Sequence, residues 1–247
     1  MTAHRQPRFA IGIPARNEAE LVLHSIESVL RSADALDDPS AVRLVVACDT
    51  CNDATADIAN FVVQRDSRVE VIEGTWYSAG ASRAAAIQRA LDAVRCGAGL
   101  SDIWVATTDA DTVVPADWLF WHAAHWSKGD DAVAGVVDLL DDDAEVRAVF
   151  GRHYVLSDDS HGHVHGANLG VRADAYLEVG GLPPVDLAED HALWNALRKG
   201  GFVCRSSVSL RVATSGRLTG RAVGGFADTL HKLMANSVSD YNAVANA

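Results

Sequence analysis

The sequence is poor in proline, in cysteine and in positive charge, and each shortage narrows the range of functions. Six prolines and 49% apolar residues in a chain of 247 residues exclude a disordered protein and leave enough apolar material for a substantial core. Lysine and arginine total 21 against 33 acidic residues, a formal charge of -12. General nucleic-acid binding is therefore disfavoured, because it requires a basic face. A metal ion and a few local arginines would still allow an anionic substrate to bind.

Long hydrophobic runs are also missing. No apolar stretch approaches the roughly 20 residues that a membrane-spanning helix needs, and residues 1–8 lack the apolar region of a signal peptide. We therefore expect a cytoplasmic protein without a transmembrane segment. A homodimer and peripheral contact with a membrane stay open.

Only one pair among the four cysteines is closely spaced, Cys48 and Cys51. Because there is no second C-x-x-C, a zinc ribbon is disfavoured. The spacing after a strand leaves a redox pair open, whereas reduced thiols are the ordinary state in a cytosolic fold.

The most informative stretch is Asp109-Ala110-Asp111. The apolar residues 103–106 predict a buried strand that leads into it, and Pro115 opens a helical pattern soon afterwards. Two carboxylates one residue apart can share a hard cation, and Mg2+ prefers one or two carboxylates plus substrate phosphates. The alternative is a solvated turn, since Asp is common in turns.

Three strand–helix units are predicted before this motif, which indicates an α/β fold with a mostly parallel sheet. The strands are residues 9–13, 42–47 and 69–72, and a cap at Asn17 is expected to begin the first helix. The loop after the first strand, residues 14–18, lacks G-x-G-x-x-G. A nicotinamide oxidoreductase is therefore disfavoured.

Polar residues also follow the second and third strands, at the edge where open α/β sheets bind ligands. Asp49 is a candidate to accept hydrogen bonds from a base or a ribose, whereas Asp53 is explained as a helix cap. Arg83 falls in the first turn of the third helix, where a cation gains nothing from the helix dipole. Either a nearby phosphate explains it, or it is an ordinary solvated arginine.

The second half of the chain contains an aromatic-rich helix around residues 118–126, whose rings we expect mostly in the core, and a strand at residues 132–137. The acidic run from Asp138 to Glu145, with Asp141, Asp142 and Asp143, is interpreted as a solvated helix start, because it implies no fixed geometry for a metal.

His161, His163 and His165 alternate along the chain, so an extended segment would place all three on one face. Such a face is a candidate metal or phosphate site, and a flexible loop is the alternative. His165 is favoured as a metal ligand because it precedes the Gly166-Ala167-Asn168 turn.

Glu189 and Asp190 open a helix after the break at Gly180 and Gly181. Acidic residues at a helix start can simply balance the dipole. A carboxylate that points into the cleft of a metal site would instead be a general base.

Together these stretches resemble the family 2 glycosyltransferases, which have a GT-A fold and use nucleotide-diphosphate sugars. The resemblance extends from Phe9 to about Gly201 and rests on the order and spacing of the motifs. The motifs are residues 13–18, residues 49–55, Gly80-Ala81-Ser82-Arg83, Asp109-Ala110-Asp111, the block from Gly166-Ala167-Asn168 to Gly180-Gly181, and Glu189-Asp190.

The resemblance implies a Rossmann-like nucleotide-binding fold and an inverting, non-processive transfer to a hydroxyl acceptor, which would be a small molecule, a lipid or a glycan. Mg2+ or Mn2+ would be bound by Asp109 and Asp111, with His165 as the further candidate, and Asp190 would be the base. The residues expected to bind the donor are Pro14, Ala15, Glu18, Asp49, Arg83, Asp109, Asp111 and Arg217.

Two features depart from the family pattern. Ala84 stands where an Asn often follows the Arg, and the Gln-x-x-Arg-Trp element of processive synthases is absent. We expect one GT-A domain at residues 1–213, with a nucleotide-binding half (1–112) and an acceptor-side half (113–213). A C-terminal lid and helix (214–247) would bring Arg217 or Arg221 to the diphosphate.

Two other functions stay open. Asp109-x-Asp111, followed by Thr112 and Val113, is also similar to the nucleophile loop of haloacid dehalogenase-type phosphatases, in which Asp109 would be phosphorylated. That loop normally follows the first strand of its domain, whereas three strand–helix units precede it here. A non-catalytic nucleotide-sugar-binding protein is the other alternative, since a fold does not prove an activity.

Overall fold

The computed structural model describes residues 6–95, 97–140, 143–157, 160–183, 187–220 and 226–245. The strands are β1 (Arg8–Ala15), β2 (Val42–Asp49), β3 (Val69–Gly74), β4 (Ile103–Thr107), β5 (Thr112–Val113), β6 (Ala132–Leu139), β7 (Leu169–Arg172) and β8 (Cys204–Thr214). The helices are α1 (Val22–Asp34), α2 (Thr55–Val63), α3 (Ala79–Val94), α4 (Trp118–Ser127), α5 (Ala144–His153), α6 (Ala173–Glu178), α7 (Glu189–Lys199) and α8 (Phe226–Ala245).

One eight-stranded sheet organises the chain, in the order β3-β2-β1-β4-β7-β6-β8-β5. Strands β3, β2, β1 and β4 run parallel, and so do β6 and β8, whereas β7 is antiparallel to both of its neighbours and β5 is antiparallel to β8. The predicted single α/β domain with a mostly parallel sheet is confirmed. Its parallel strands could be recognised because both of their faces are buried and they are apolar throughout.

The sheet separates two apolar clusters, since successive side chains of a strand point to opposite faces. Ile11 and Ile13 of β1 pack with the cluster that includes α1, and Ala10 packs with the cluster that includes α3. A Cβ atom at Gly12 would lie 2.8 Å from the side chain of Ile87 and 3.1 Å from its backbone nitrogen. Glycine at this position therefore allows α3 to lie close against the centre of the sheet.

The first helix begins later than the sequence predicts. It starts at Val22, and Asn17 instead has a left-handed conformation with φ of 55°. The side-chain oxygen of Asn17 accepts a hydrogen bond from the backbone N–H of Asn52 at 2.9 Å. The predicted cap is thus wrong, because this amide joins the loops after β1 and β2 rather than binding its own helix.

Strands β5 and β8 were not predicted. Residues 112–113 are too short to show a pattern, and β8 is long but carries Arg205 and Arg211 among its apolar residues. The Thr112 hydroxyl donates a hydrogen bond to the Thr214 hydroxyl at 2.9 Å. This pairing holds the chain that follows Asp111 against the end of β8.

Two of the expectations from the sequence concern helices α5 and α4. The Asp143 carboxylate accepts the N–H groups of Glu145 and Val146 at 2.9 and 3.2 Å, so the acidic run does begin a helix, while Asp141 and Asp142 lie outside the described residues. In α4 Trp118 is fully buried and Trp121 and Trp126 pack partly buried against the same apolar cluster, as expected for most of these rings, whereas Phe120 is 58% exposed. None of the described helices combines the length and apolarity that crossing a membrane requires.

Candidate active site

The loops that follow β1, β2 and β3 meet at the carboxyl edge of the parallel strands. The Thr55 hydroxyl accepts the backbone N–H of Glu18 at 2.7 Å, which joins the first two loops. The Thr50 N–H donates to the Gly74 carbonyl at 2.9 Å, which joins the second loop to β3. This edge is where open α/β sheets bind their ligands.

Backbone strain is concentrated around the same edge. Among the described residues, the non-glycine positions with positive φ are Asn17, Thr50, Tyr77 and Ala188, at 55°, 49°, 53° and 57°. The first three lie after β1, β2 and β3, and the fourth immediately precedes α7. Strained residues persist where the surrounding structure fixes them, and they cluster at functional sites.

Asp49 fixes the loop after β3. Its side chain is buried, and Oδ1 accepts the backbone N–H groups of Trp76 and Tyr77 at 2.8 and 3.0 Å. Oδ2 accepts the N–H of Ser78 at 3.1 Å. Asp49, which was expected to bind the nucleoside, therefore accepts three hydrogen bonds from the backbone instead. These bonds shape the loop at the edge of the sheet.

Pro14 and Ala15 are the last residues of β1 and pair with Ala47 and Cys48 of β2. The Ala15 side chain is buried, and its carbonyl accepts a hydrogen bond from the Cys51 thiol at 3.4 Å. Burial, followed by the neighbouring Cys51, raises the pKa of Cys48 to about 12. Both cysteines are free thiols, and this pKa disfavours the thiolate that redox chemistry requires.

Arg83 lies at the centre of a buried ion network. It is the fifth residue of α3 rather than part of the first turn, and only 4% of it is exposed. Nη1 forms an ion pair with Glu189, and Nη2 binds Oδ1 of Asp109 at 2.6 Å. Burial lowers the pKa of Arg83, but the charges of Asp109 and Glu189 outweigh it and raise that pKa. The solvated arginine is therefore wrong, and two carboxylates account for the cation.

Two glycines of the predicted motifs make room for this network. A Cβ atom at Gly80 would lie 2.9 Å from Cγ of Glu189, and a Cβ atom at Gly166 would lie 2.5 Å from Nη1 of Arg83. Any larger residue at either position would push the ion pair apart.

Asp111 lies on the other side of the Asp109-Ala110-Asp111 turn, beside Arg217. Its Oδ2 is 2.8 Å from Nη2 of Arg217, and its side chain is 14% exposed, against 31% for Asp109. Burial and then the charge of Asp109 raise the pKa of Asp111 to about 7, although Arg217 opposes the shift. A divalent cation would favour the ionised form of Asp111 against both effects, so these two carboxylates fit Mg2+ or Mn2+.

Arg217 also binds Glu18. Its Nη1 and Nη2 donate to the two carboxylate oxygens of Glu18 at 2.7 and 2.6 Å, in the bidentate geometry of strong ion pairs. Burial opposes the charged form, but the hydrogen bond to Glu18 and the charge of Asp111 raise the pKa of Arg217. Three residues predicted from separate motifs are thus brought together, while Arg221 lies outside the described residues.

His165 does not join the two aspartates. The Tyr154 hydroxyl accepts the Val137 N–H at 3.1 Å and also shares a hydrogen bond with Nε2 of His165 at 3.0 Å. Burial, and then His163, lower the pKa of His165 to about 4. In the part of the chain that the structure describes, no group of three or more His, Cys, Asp or Glu residues could hold a metal ion. His165 is therefore not grouped with Asp109 and Asp111, whose role as metal ligands stays a prediction.

The three histidines do share one face, as their alternation predicts. The ring centroids of His161 and His163 are 5.9 Å apart, and those of His163 and His165 are 6.0 Å apart, with interplanar angles of 21° and 12°. The Tyr154 ring stacks on His163 at 4.0 Å. Rings stacked in this way do not converge on one ion, so their contribution is to the packing around His165.

Asp190 is half-buried near the start of α7 and points to the Gly166 turn. Its Oδ2 accepts the Gly166 N–H at 2.7 Å, and its Oδ1 accepts the N–H of His191 at 2.7 Å. Glu189 points instead to Arg83 and is 9% exposed. The two adjacent acids thus separate, Glu189 into the buried network and Asp190 toward the Gly166 turn.

Sequence reasoning missed Glu189 as the partner of Arg83, and Tyr154 as the partner of His165. Glu189 is 106 residues from Arg83, and no local pattern connects two such positions. The available signal was a charged residue near the start of each of two helices, Arg83 in α3 and Glu189 in α7.

The sequence model described as "Glycosyl transferase family 2" matches residues 10–160. Solved structures with the same fold include TarS 1-349 of S. aureus in complex with UDP-GlcNAc, with a TM-score of 0.63 and 14% identity over 92% of this chain and 65% of that chain. A second is the mannosyltransferase PcManGT from Pyrobaculum calidifontis in complex with GDP-Man and Mn2+, at 0.60 and 18% over 98% and 76%. A third is GalNAc-T7 with UDP, GalNAc and Mn2+, at 0.62 and 12% over 85% and 43%.

These identities show a shared fold alone. The chain spans less than two thirds of the length of TarS 1-349 and of GalNAc-T7. A search of curated proteins finds no match to the sequence.

Proposed function

The chain belongs to glycosyl transferase family 2, and we propose that it transfers a sugar from a nucleotide-diphosphate donor to an acceptor hydroxyl. The observation that carries this proposal is that the Asp109-Ala110-Asp111 turn is held between two arginines, Arg83 at Asp109 and Arg217 at Asp111. Arg83 links the two sides, since it binds Asp109 and the neighbour of Asp190.

A divalent cation at Asp109 and Asp111 would supply Lewis-acid stabilisation of the leaving diphosphate. The carboxylates hold that position from two directions, because Asp109 is fixed by Arg83 and Asp111 by Arg217. The guanidinium of Arg217 adds a fixed positive charge beside the place where negative charge develops. The solved structures of PcManGT and GalNAc-T7 are complexes with Mn2+, which supports the choice of cation.

Asp190 would take the proton of the acceptor hydroxyl. Two backbone N–H groups orient its carboxylate, and each of its oxygens retains acceptor capacity for a substrate proton. Attack by that hydroxyl on the face opposite the diphosphate would be a single displacement, which inverts the anomeric configuration.

The phosphatase alternative has little support. The Asp109 turn follows β4, after three strand–helix units, and Oδ1 of Asp109 is paired with Arg83. A non-catalytic nucleotide-sugar-binding protein would have the same donor site but no general base. A variant of Asp190 therefore distinguishes it from a transferase.

Donor binding tests the proposal. Melting temperatures are measured with UDP-GlcNAc, GDP-mannose, UDP, GDP and ADP, each with Mn2+, with Mg2+ and with chelator. We expect one nucleotide at about 100 times its dissociation constant to add about 2.7 kcal/mol, and only when metal is present. Asp111→Asn should abolish this gain. Equal stabilisation in chelator would remove the metal from the mechanism, and stabilisation by none of the nucleotides would contradict the donor class.

A further inference from the structure

Tyr77 is an exposed aromatic residue in a strained backbone conformation. Its side chain is 68% exposed, and its φ of 53° is a left-handed value that residues other than glycine rarely adopt. Such strain costs free energy and persists only where neighbouring contacts enforce it. The residue lies just after β3, at the edge where the loops after β1 and β2 also end.

Asp49 enforces this conformation. Its buried carboxylate accepts the N–H groups of Trp76, Tyr77 and Ser78 within 3.1 Å. The Trp76 ring packs partly buried against the apolar cluster that includes α3, and a Cβ atom at Gly74 would lie 2.6 Å from it. Of two successive aromatic residues, one therefore covers the core and the other is turned out over the edge.

Other exposed aromatic residues differ from Tyr77. The Arg65 guanidinium lies 3.2 Å from the ring centroid of Phe61, and the Phe120 ring packs edge-on against Trp121 at 5.6 Å. Both rings belong to helices with ordinary backbone angles. The guanidinium of Arg16 is 6.0 Å from the Tyr77 ring centroid, at the outer limit of a cation–π contact. At that separation, and with 68% of its side chain exposed, the Tyr77 ring remains largely accessible.

We propose that Tyr77 is the stacking surface for the base of the donor nucleotide, an inference that rests on the proposed function. A flat ring fixed at this edge matches a nucleobase, because every base has a π-face. Asp49 is then a positioning residue that fixes the loop and the ring, and the base gains affinity from stacking. Stacking alone discriminates little between bases, so Tyr77 sets the affinity for the nucleoside rather than its identity.

Isothermal titration on Tyr77→Ala tests this directly, with Tyr77→Phe and Tyr77→Gly beside it. The probes are the nucleoside diphosphate that stabilises the wild type and inorganic pyrophosphate, both with Mn2+. We expect Tyr77→Ala to weaken the affinity for the nucleoside diphosphate by about 5- to 150-fold, which is the contribution of one base stacked on an aromatic side chain. The affinity for pyrophosphate should stay within about twofold of the wild-type value. Tyr77→Phe should bind like the wild type. Tyr77→Gly relieves the strain and should still lose the affinity, and Phe120→Ala is the matched control.

The outcomes separate the inference from the proposed function. If the wild type binds a nucleoside diphosphate and Tyr77→Ala binds it equally well, the stacking surface is wrong and the transferase proposal stands. If Tyr77→Ala weakens both probes alike, the residue only supports the loop, and the inference is likewise overturned. If the wild type binds no nucleoside diphosphate, both proposals fail together.

Discussion

Arg83 and Glu189 form a buried ion pair between α3 and α7, although 106 residues separate them in sequence. The pair brings the start of α7 against the Asp109 turn, because Arg83 binds Asp109 with its other nitrogen. The catalytic candidate Asp190 is adjacent to Glu189. The position of the proposed base therefore depends on the buried ion pair of its neighbour.

Removing the charge of Glu189 should destabilise the protein strongly. Glu189→Gln leaves Arg83 buried with one partner, and breaking a buried pair costs about 3–5 kcal/mol. Denaturant unfolding measures this cost. The control is Arg89→Gln, which breaks the exposed pair with Glu70 and should leave the unfolding midpoint nearly unchanged. Equal midpoints for the two variants would contradict the central role of the buried pair.

Arg217→Met should weaken both folding and donor binding. It leaves the carboxylates of Glu18 and Asp111 without their shared cation, which we expect to cost about 1–3 kcal/mol of unfolding free energy without metal. Saturating Mn2+ should restore part of that loss, because the ion supplies charge at Asp111. Arg211→Met, which breaks a half-exposed pair with Asp138, is the control for charge. If Arg217→Met unfolds and binds nucleotide like this control, Arg217 is excluded from the site.

The raised pKa of Asp111 predicts a pH dependence. An acid with a folded-state pKa of about 7 and an ordinary value of 3.8 holds a proton in the native state that the unfolded chain has released. Between these two pH values the unfolded state binds fewer protons, so this residue's contribution to stability falls as pH rises. Unfolding of the metal-free protein from pH 4 to pH 8 should show the decrease in the wild type and lose it in Asp111→Asn.

Metal binding should reverse this trend, because a ligating carboxylate must be deprotonated. Titration of Mn2+ at pH 6 in buffers of different ionisation enthalpy should detect proton release in the wild type. An identical pH slope in Asp111→Asn and the wild type would show that Asp111 ionises normally.

The fold and the acidic turn could be predicted because their signals are local. The parallel strands are continuous apolar runs, and Asp109 and Asp111 directly follow one of them. The shared face of His161, His163 and His165 likewise follows from alternation along the chain. Each of these patterns is contained within about ten residues, so packing elsewhere did not alter it.

The remaining features depend on distant contacts. Asn17 was expected to cap its own helix, but its side-chain oxygen accepts the backbone N–H of Asn52 from the next loop. Arg83 was expected either near a phosphate or in solvent, and its two carboxylate partners come from other motifs. His165 was expected to bind metal, and the Tyr154 hydroxyl that occupies its nitrogen follows α5. A polar side chain in a loop has several potential partners, and only the tertiary fold selects among them.

The central claim is that Asp190 is the base of a sugar transfer, and one comparison tests it most directly. Asp190→Asn is compared with Asp174→Asn, which changes an acid at the same second position of a helix, in α6. The measurement is the rate of nucleoside diphosphate release from UDP-GlcNAc or GDP-mannose with Mn2+ and hydroxyl acceptors, together with donor affinity and melting temperature. We expect Asp190→Asn to retain affinity and stability while its rate falls by ~10²–10⁴-fold. A normal rate, with a loss of only ~0.3–1 kcal/mol of stability as for an acid that balances a helix dipole, would contradict the assignment.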